Sequence, residues 1–177
     1  KSAIPAEHAI RGFHSVTLAI SGYEATARLL RDTMGFTEGP SQHNRFRFVA
    51  SDDFAVPGRI IDLVCAPDAR TAQLGAGSVH HIAFRVPSDS AQQNWRTALS
   101  GIGVNATPIL DRQYFHSIYF REPGGVIFEF ATDPPGFATD ESKEELGQGI
   151  MLPEWLEARR EQITASLPDV VIPEAER

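Results

Sequence analysis

The chain has 177 residues, of which 42% are hydrophobic and 22% charged, a balance that suits a globular protein with one good core or two small units. A net charge of −7 argues against a nucleic-acid backbone or an anionic membrane as main partner, and no run reaches the roughly 18 apolar residues of a membrane span. The single cysteine, Cys65, excludes an intrachain disulfide framework and fits a reducing, cytoplasmic setting.

Residues 1–10 read as a linker around Pro5, and their lack of an initiator Met or an apolar signal core reads as a cut or processed start. A first unit occupies residues 11–67. It opens with a strand over Gly12–Ile20, in which His14, Val16 and Leu18 share a face by period-two alternation. Ser21 is expected to cap a helix, with Glu24 completing a capping box. The helix runs to about Met34 on a stripe of Tyr23, Ala27, Leu30 and Met34, and Gly35 stops it. Strands over Arg45–Ala50 and Arg59–Ala66 follow, joined by a polar loop carrying Pro57-Gly58.

Residues 68–77 read as a connector, after which the same order returns over residues 78–133. A strand at Ser78–Val86 leads to Ser88 as cap and to a helix ending near Ser100, with Ala91, Trp95, Leu99 and Ile102 on its buried stripe. Strands at Gln113–Arg121 and Val126–Thr132 flank the turn Glu122-Pro123-Gly124-Gly125. Each unit is thus β-α-β-β, with room for one more short strand within Thr37–Asn44 and Gly103–Ile109, giving an α+β chain of tandem β-α-β-β-β units. Residues 134–177 form a turn-rich acidic tail, then a helix opened by Pro153 with Leu156, Ile163 and Leu167 at helical spacing. Pro168–Arg177 reads as a frayed end.

The repeat carries chemistry. His14 and Asp62 lie 48 positions apart, as do His81 and Glu129, which assigns His14 to His81 and Asp62 to Glu129. Imidazoles and carboxylates that converge suit a divalent metal held by nitrogen and oxygen. Glu129 sits between Phe128 and Phe130, where an unpaired carboxylate is costly, so its sheet face must be wet, paired or metal-bound. A plain His–Glu hydrogen bond is the bland alternative for this pair. Tyr119 alternates onto the face opposite Phe120 and can point into the same space; His116, His43 and His8 read as solvated or structural. No phosphate loop, nucleophile elbow or CxxC motif occurs.

These units resemble the vicinal-oxygen-chelate superfamily of glyoxalases, bleomycin-resistance proteins and dioxygenases. The runs GSVHHIAFRVP and DRQYFHSIYFREPGGVIFEFATDPPGF and the tail LPEWLEARR look like ring-cleaving extradiol dioxygenases of the hydroquinone and catechol type, from Arg11 to about Pro168. Such enzymes resemble four units in series, and this chain matches the last two, a C-terminal half. The resemblance implies that His81 and Glu129 bind Fe(II), with Mn(II) as the alternative ion. The third ligand is then His14, or a His of an absent N-terminal half. By the same resemblance Tyr119 and His80 match positions that steer substrate or protons at the metal.

The expected activity is therefore a non-haem Fe(II) extradiol-type dioxygenase acting on an aromatic diol and O2. A glyoxalase-type lyase or isomerase, in which His14, Asp62, His81 and Glu129 share one metal, is one alternative. A ligand-sequestering module of the bleomycin-resistance kind is another. A chain of two such units is expected to associate with itself or with an N-terminal half, because sheet edges left open drive pairing.

Overall fold

The computed structural model describes residues 4–51, 56–70 and 72–168, and two compact units are distinct within it. The larger, Gly12–Gly136, holds both repeats. Its first sheet contains β1 (Ser15–Ile20), β2 (Thr37–Gln42), β3 (Arg45–Val49) and β4 (Ile60–Cys65). Its second contains β5 (Ile82–Val86), β6 (Leu110–Asp111), β7 (Phe115–Arg121) and β8 (Ile127–Pro135). The orders are β1-β4-β3-β2 and β5-β8-β7-β6, the same path drawn twice. In each sheet the first strand runs parallel to the last, and the remaining pairs are antiparallel. The tandem β-α-β-β-β reading is correct.

Helices follow the first strand of each repeat. In the second, α2 (Asp89–Gly101) begins as read, with the Ser88 hydroxyl accepting from the Ala91 amide. In the first, α1 (Glu24–Arg28) has Tyr23 at its N-cap position and no side-chain cap, so the expected Ser21–Glu24 box does not form. The helix continues as a π-helical turn over Leu29–Thr33, which places Leu29 and Leu30 in the core. Two further expectations fail on the α2 side. Ile102 is 52% exposed because it lies beyond the helix end, while Gln92 takes the buried place on the stripe. The extra strand of the second repeat lies at Leu110–Asp111, just past the window assigned to it, and Ala106 makes only an isolated bridge to Phe120.

One apolar cluster serves both repeats. Leu18, Ile20, Leu30, Phe48, Ile61 and Leu63 of the first join Val86, Leu99, Ile118, Phe120, Phe128 and Phe130 of the second. Phe36 meets Phe84 edge to face across the repeats, with ring centroids 6.2 Å apart. The β7–β8 turn locks onto the first repeat as well. A Cβ at Gly124 would stand 2.6 Å from Cγ2 of Ile20, so only glycine allows this approach. Gly125 follows at φ 94°, a backbone region that other residues avoid.

The smaller unit contains residues 1–11 and 137–177, of which 4–11 and 137–168 are described. It carries a 3-10 turn at Glu154–Arg159 that runs into α3 (Arg160–Ser166), so the expected tail helix forms after Pro153. The end assigned as frayed lies, beyond Pro168, outside the described residues. No helix among the described residues is long and apolar enough to cross a membrane.

Candidate metal centre

Each sheet presents its apolar side chains to the shared core, so the alternate residues of the same strands fall on the other face. On β8 that places Phe128 and Phe130 inward and Glu129 outward, yet Glu129 is only 3% exposed. A buried carboxylate needs partners, and here they are specific. His81 Nε2 stands 2.7 Å from Oε2, and the Ser117 hydroxyl donates to Oε1. Tyr119 is the direct cross-strand neighbour of Glu129 on β7, and its ring lies edge-on to that of His81, centroids 5.5 Å apart.

The second imidazole completes the arrangement. His80 Nδ1 lies 2.9 Å from His81 Nδ1, so both nitrogens of His81 are engaged. A consistent proton assignment gives His81 its hydrogen on Nε2, donated to Glu129, while His80 donates to Nδ1. Burial, reinforced by a hydrogen bond to Glu129, holds the Tyr119 phenol above its usual pKa, and the hydrogen bond to Ser117 only partly opposes this. Tyr119 therefore stays protonated. The expected His81–Glu129 pair is real, and Tyr119 and His80 stand beside it.

The first repeat shows what the same position becomes with other neighbours. Asp62 is 1% exposed at the matching point of β4. Arg47 is its cross-strand neighbour, as Tyr119 is for Glu129; Arg45 sits beside it, opposite Val64, as Ser117 sits opposite Ala131. Arg47 clasps the carboxylate with Nε to Oδ1 at 2.8 Å and Nη2 to Oδ2 at 2.9 Å. Arg45 Nη1 adds a contact to Oδ2 at 2.8 Å and reaches Thr17 Oγ1 at 3.3 Å. Both oxygens of Asp62 are thus held by guanidinium groups.

The ladder also corrects the pairing of His14 with His81. Thr17 pairs with Asp62 on the parallel strand, and Ala83 pairs with Glu129. Two residues back from each lie Ser15 and His81, so Ser15 occupies the His81 position and His14 matches His80. The local contacts agree, since His14 Nδ1 reaches the Ser15 hydroxyl at 3.2 Å much as His80 reaches His81. The equal spacing of 48 was misleading because the first repeat is one residue shorter between these points, and a one-residue slip reverses a strand's faces. Among the described residues no group of three His, Cys, Asp or Glu side chains could hold a metal ion, so His14 does not join His81 and Glu129.

His116, read as structural, is half-buried and contacts Asp89 Oδ1 at 2.6 Å. Ser117, Arg45 and Arg47 escaped the sequence reading altogether. The strand register exposes them, Arg47 as the cross-strand neighbour of Asp62, and Arg45 and Ser117 two residues before the neighbours of their acids; the sequence hints at that register, since FHSVTLAI laid on VHHIAFRV puts Ser15 on His81.

A pH effect follows from Asp62. Hydrogen bonding to Arg47, then to Arg45, with the charges of both, holds its carboxyl below the usual range despite the opposing effect of burial. A lowered folded pKa gives stability that is present above the unfolded value of about 3.9 and lost as pH falls through the folded one. Asp62→Asn should therefore destabilise at pH 7 by about 1–2 kcal/mol, a modest figure because Arg45 and Arg47 are 47% and 34% exposed. Urea unfolding at pH 7 and pH 3 checks this, and an equal deficit at both would contradict it.

A duplicated β-α-β-β-β unit with a buried acid–imidazole pair on one copy defines a class of metal- and ligand-binding folds rather than one activity. The chain belongs to the Glyoxalase/Bleomycin resistance protein/Dioxygenase superfamily, which matches residues 12–130. MhqO of Bacillus subtilis (strain 168), whose name carries a provisional assignment as a ring-cleaving dioxygenase, is 43% identical over 159 residues, 90% of this chain and 50% of that protein. The chlorohydroquinone/hydroquinone 1,2-dioxygenase of Sphingobium indicum is 33% identical over 174 residues, 96% of this chain and 53% of its own length. A crystal structure of a provisionally assigned dioxygenase from Bacillus subtilis subsp. subtilis strain 168 superposes with a TM-score of 0.85 at 42% identity, covering 94% of this chain and 52% of that one. The chain spans about half the length of the curated relatives it matches.

Proposed function

We propose that this chain supplies His81 and Glu129 to a mononuclear Fe(II) centre of an extradiol-type ring-cleaving dioxygenase acting on a hydroquinone or catechol, with Mn(II) as the alternative ion. The observation that carries this reading is the buried Glu129 carboxylate paired with His81, one carboxylate oxygen and one imidazole nitrogen 2.7 Å apart, with the Ser117 and Tyr119 hydroxyls as the other side-chain partners of Glu129 among the described residues. The donor set fits a nitrogen- and oxygen-ligated divalent ion and supplies two of its ligands. The third is proposed to come from outside the described residues, from an N-terminal half of which this chain would be the C-terminal counterpart, or from a second copy. Exposed Phe13 and Val79 stand just before β1 and β5, each at the edge of its sheet, which favours association. A cytoplasmic setting is part of the same proposal.

When bound, the ion supplies open positions for substrate oxygens and O2 and lowers the pKa of a bound phenol. The chain's own residues do the rest. Ser117 fixes Oε1 of Glu129 and leaves Oε2 beside His81 Nε2, the two atoms that would hold the ion. For Nε2 to present a lone pair, the His81 proton shifts to Nδ1, where His80 Nδ1 accepts it in a hydrogen bond. Tyr119, kept neutral by burial, holds a proton at its hydroxyl within the same site and can give it to a reacting oxygen.

A lyase using His14, Asp62, His81 and Glu129 together is disfavoured, because Asp62 is held by two arginines and the four do not converge among the described residues. The test is O2 uptake on methylhydroquinone and catechol by protein loaded anaerobically with Fe(II). Uptake is expected in the parent protein and should vanish in Glu129→Gln. Turnover without O2, supported equally by Zn2+ or Ni2+, would replace this reading with the lyase one.

A further inference from the structure

We propose that the two β-strand positions beside the acid decide which repeat can take a divalent cation: Arg45 and Arg47 bar one from the first repeat, and Ser117 and Tyr119 admit one to the second. This rests on the reading of Glu129 as a ligand and goes beyond it by assigning the selection to four other residues. The backbone does not distinguish the repeats here, because each acid lies on the central strand pair with the same two cross-strand positions next to it. The acids are equally buried, at 1% and 3% exposure. Only the side chains differ.

At Asp62 the carboxylate already has its cations. Arg47 takes both oxygens through two parallel hydrogen bonds, and Arg45 takes Oδ2 again. An incoming divalent ion would have to displace groups that stay charged at any ordinary pH, against their own repulsion. It would also find Ser15 where the second repeat offers an imidazole, so no imidazole nitrogen compensates there. At Glu129 the side-chain partners among the described residues are a serine hydroxyl, a phenol and a histidine, with no guanidinium in place of them. No guanidinium occupies either carboxylate oxygen among the described residues, and Ser117 holds Oε1 in place with a hydroxyl that carries no charge of its own. The first repeat therefore carries a permanent internal substitute for the metal.

Mn2+ titration followed by the electron paramagnetic resonance of free Mn2+ tests the rule in two ways. Ser117→Arg with Tyr119→Arg should lower Mn2+ affinity at least about tenfold more than Ser117→Ala with Tyr119→Phe, which removes the same contacts without adding charge. In the opposite direction, Ser15→His, Arg45→Ser and Arg47→Tyr together, placed in a Glu129→Gln background, should gain one Mn2+ per chain over that background. Circular dichroism melts establish that each variant is folded, and the charged-pair comparison decides alone if the triple variant is not. Equal affinity in the charged and neutral pairs overturns the proposal. Parent protein whose Mn2+ binding is indifferent to Glu129→Gln would instead refute Glu129 as a ligand. The gain-of-binding variant then judges the strand-position rule by itself, and its failure to bind Mn2+ overturns it.

Discussion

Glu129→Gln is expected to remove divalent-metal binding from this chain, and His81→Ala to weaken it by more than about 100-fold, since even residues that only orient ligands cost 10–100-fold when lost. The Gln substitution is the more informative because it is nearly isosteric. Its carbonyl can still accept from the Ser117 hydroxyl, so the β7–β8 contact survives while the charge disappears. What is lost is the carboxylate of a site whose other members are the Ser117 and Tyr119 hydroxyls and two imidazoles. His81→Ala leaves the anion but removes the nitrogen donor and frees His80 of its partner. Elemental analysis of protein purified anaerobically, alongside Mn2+ titration, measures both variants. Iron content equal to the parent in either variant would sink the assignment of that residue.

The fold was legible because its signals are repeated and local. Period-two alternation in IAFRV and IFEFAT, the Pro-Gly-Gly turn after Glu122 and the Ser88 cap each specify structure within a few residues, and the order of strands and helix is stated twice. The site was legible only where its chemistry contradicts its setting. A glutamate between two phenylalanines on a strand must find a partner, and it finds His81. Register was not legible in the same way. Spacing along the chain counts the residues of the loops, whereas parallel pairing ignores them, so His14 inherited a role that the ladder gives to Ser15. The fate of Asp62 was hidden for a related reason. Its partners Arg45 and Arg47 lie 17 and 15 residues away on a neighbouring strand, and an alternating RFR run reads equally well as a solvated face. The asymmetry between the repeats thus resides in cross-strand neighbours, which only the register reveals.

The largest loss of stability is expected from a carboxylate with no part in the site. Glu122 is buried where the β7–β8 turn meets the first repeat. Its Oε2 accepts from the Thr26 hydroxyl at 2.5 Å and the Gly124 amide at 2.8 Å, and its Oε1 accepts from the Val126 amide at 2.8 Å. Thr26 belongs to α1 and is itself fully buried, so the contact joins the two repeats through a polar link beside the shared core. Glu122→Ala leaves three donors without their acceptor, of which the Thr26 hydroxyl is fully buried while the Gly124 and Val126 amides lie nearer solvent. At about 1–3 kcal/mol for the buried group and less for the two amides, the loss should reach roughly 2–4 kcal/mol, a large share of a typical 5–15 kcal/mol. Glu122→Gln should also destabilise, because either placement of its amide nitrogen sets a donor against a backbone donor at Gly124 or Val126. Thr26→Val removes only one partner and should cost less than either. Urea unfolding of the four proteins measures the order, and an alanine variant within about 1 kcal/mol of the parent would show that solvent or rearrangement satisfies the turn instead. Mn2+ affinity should be retained by the Glu122 and Thr26 variants that remain folded, since Glu122 shares no recorded partner with Glu129.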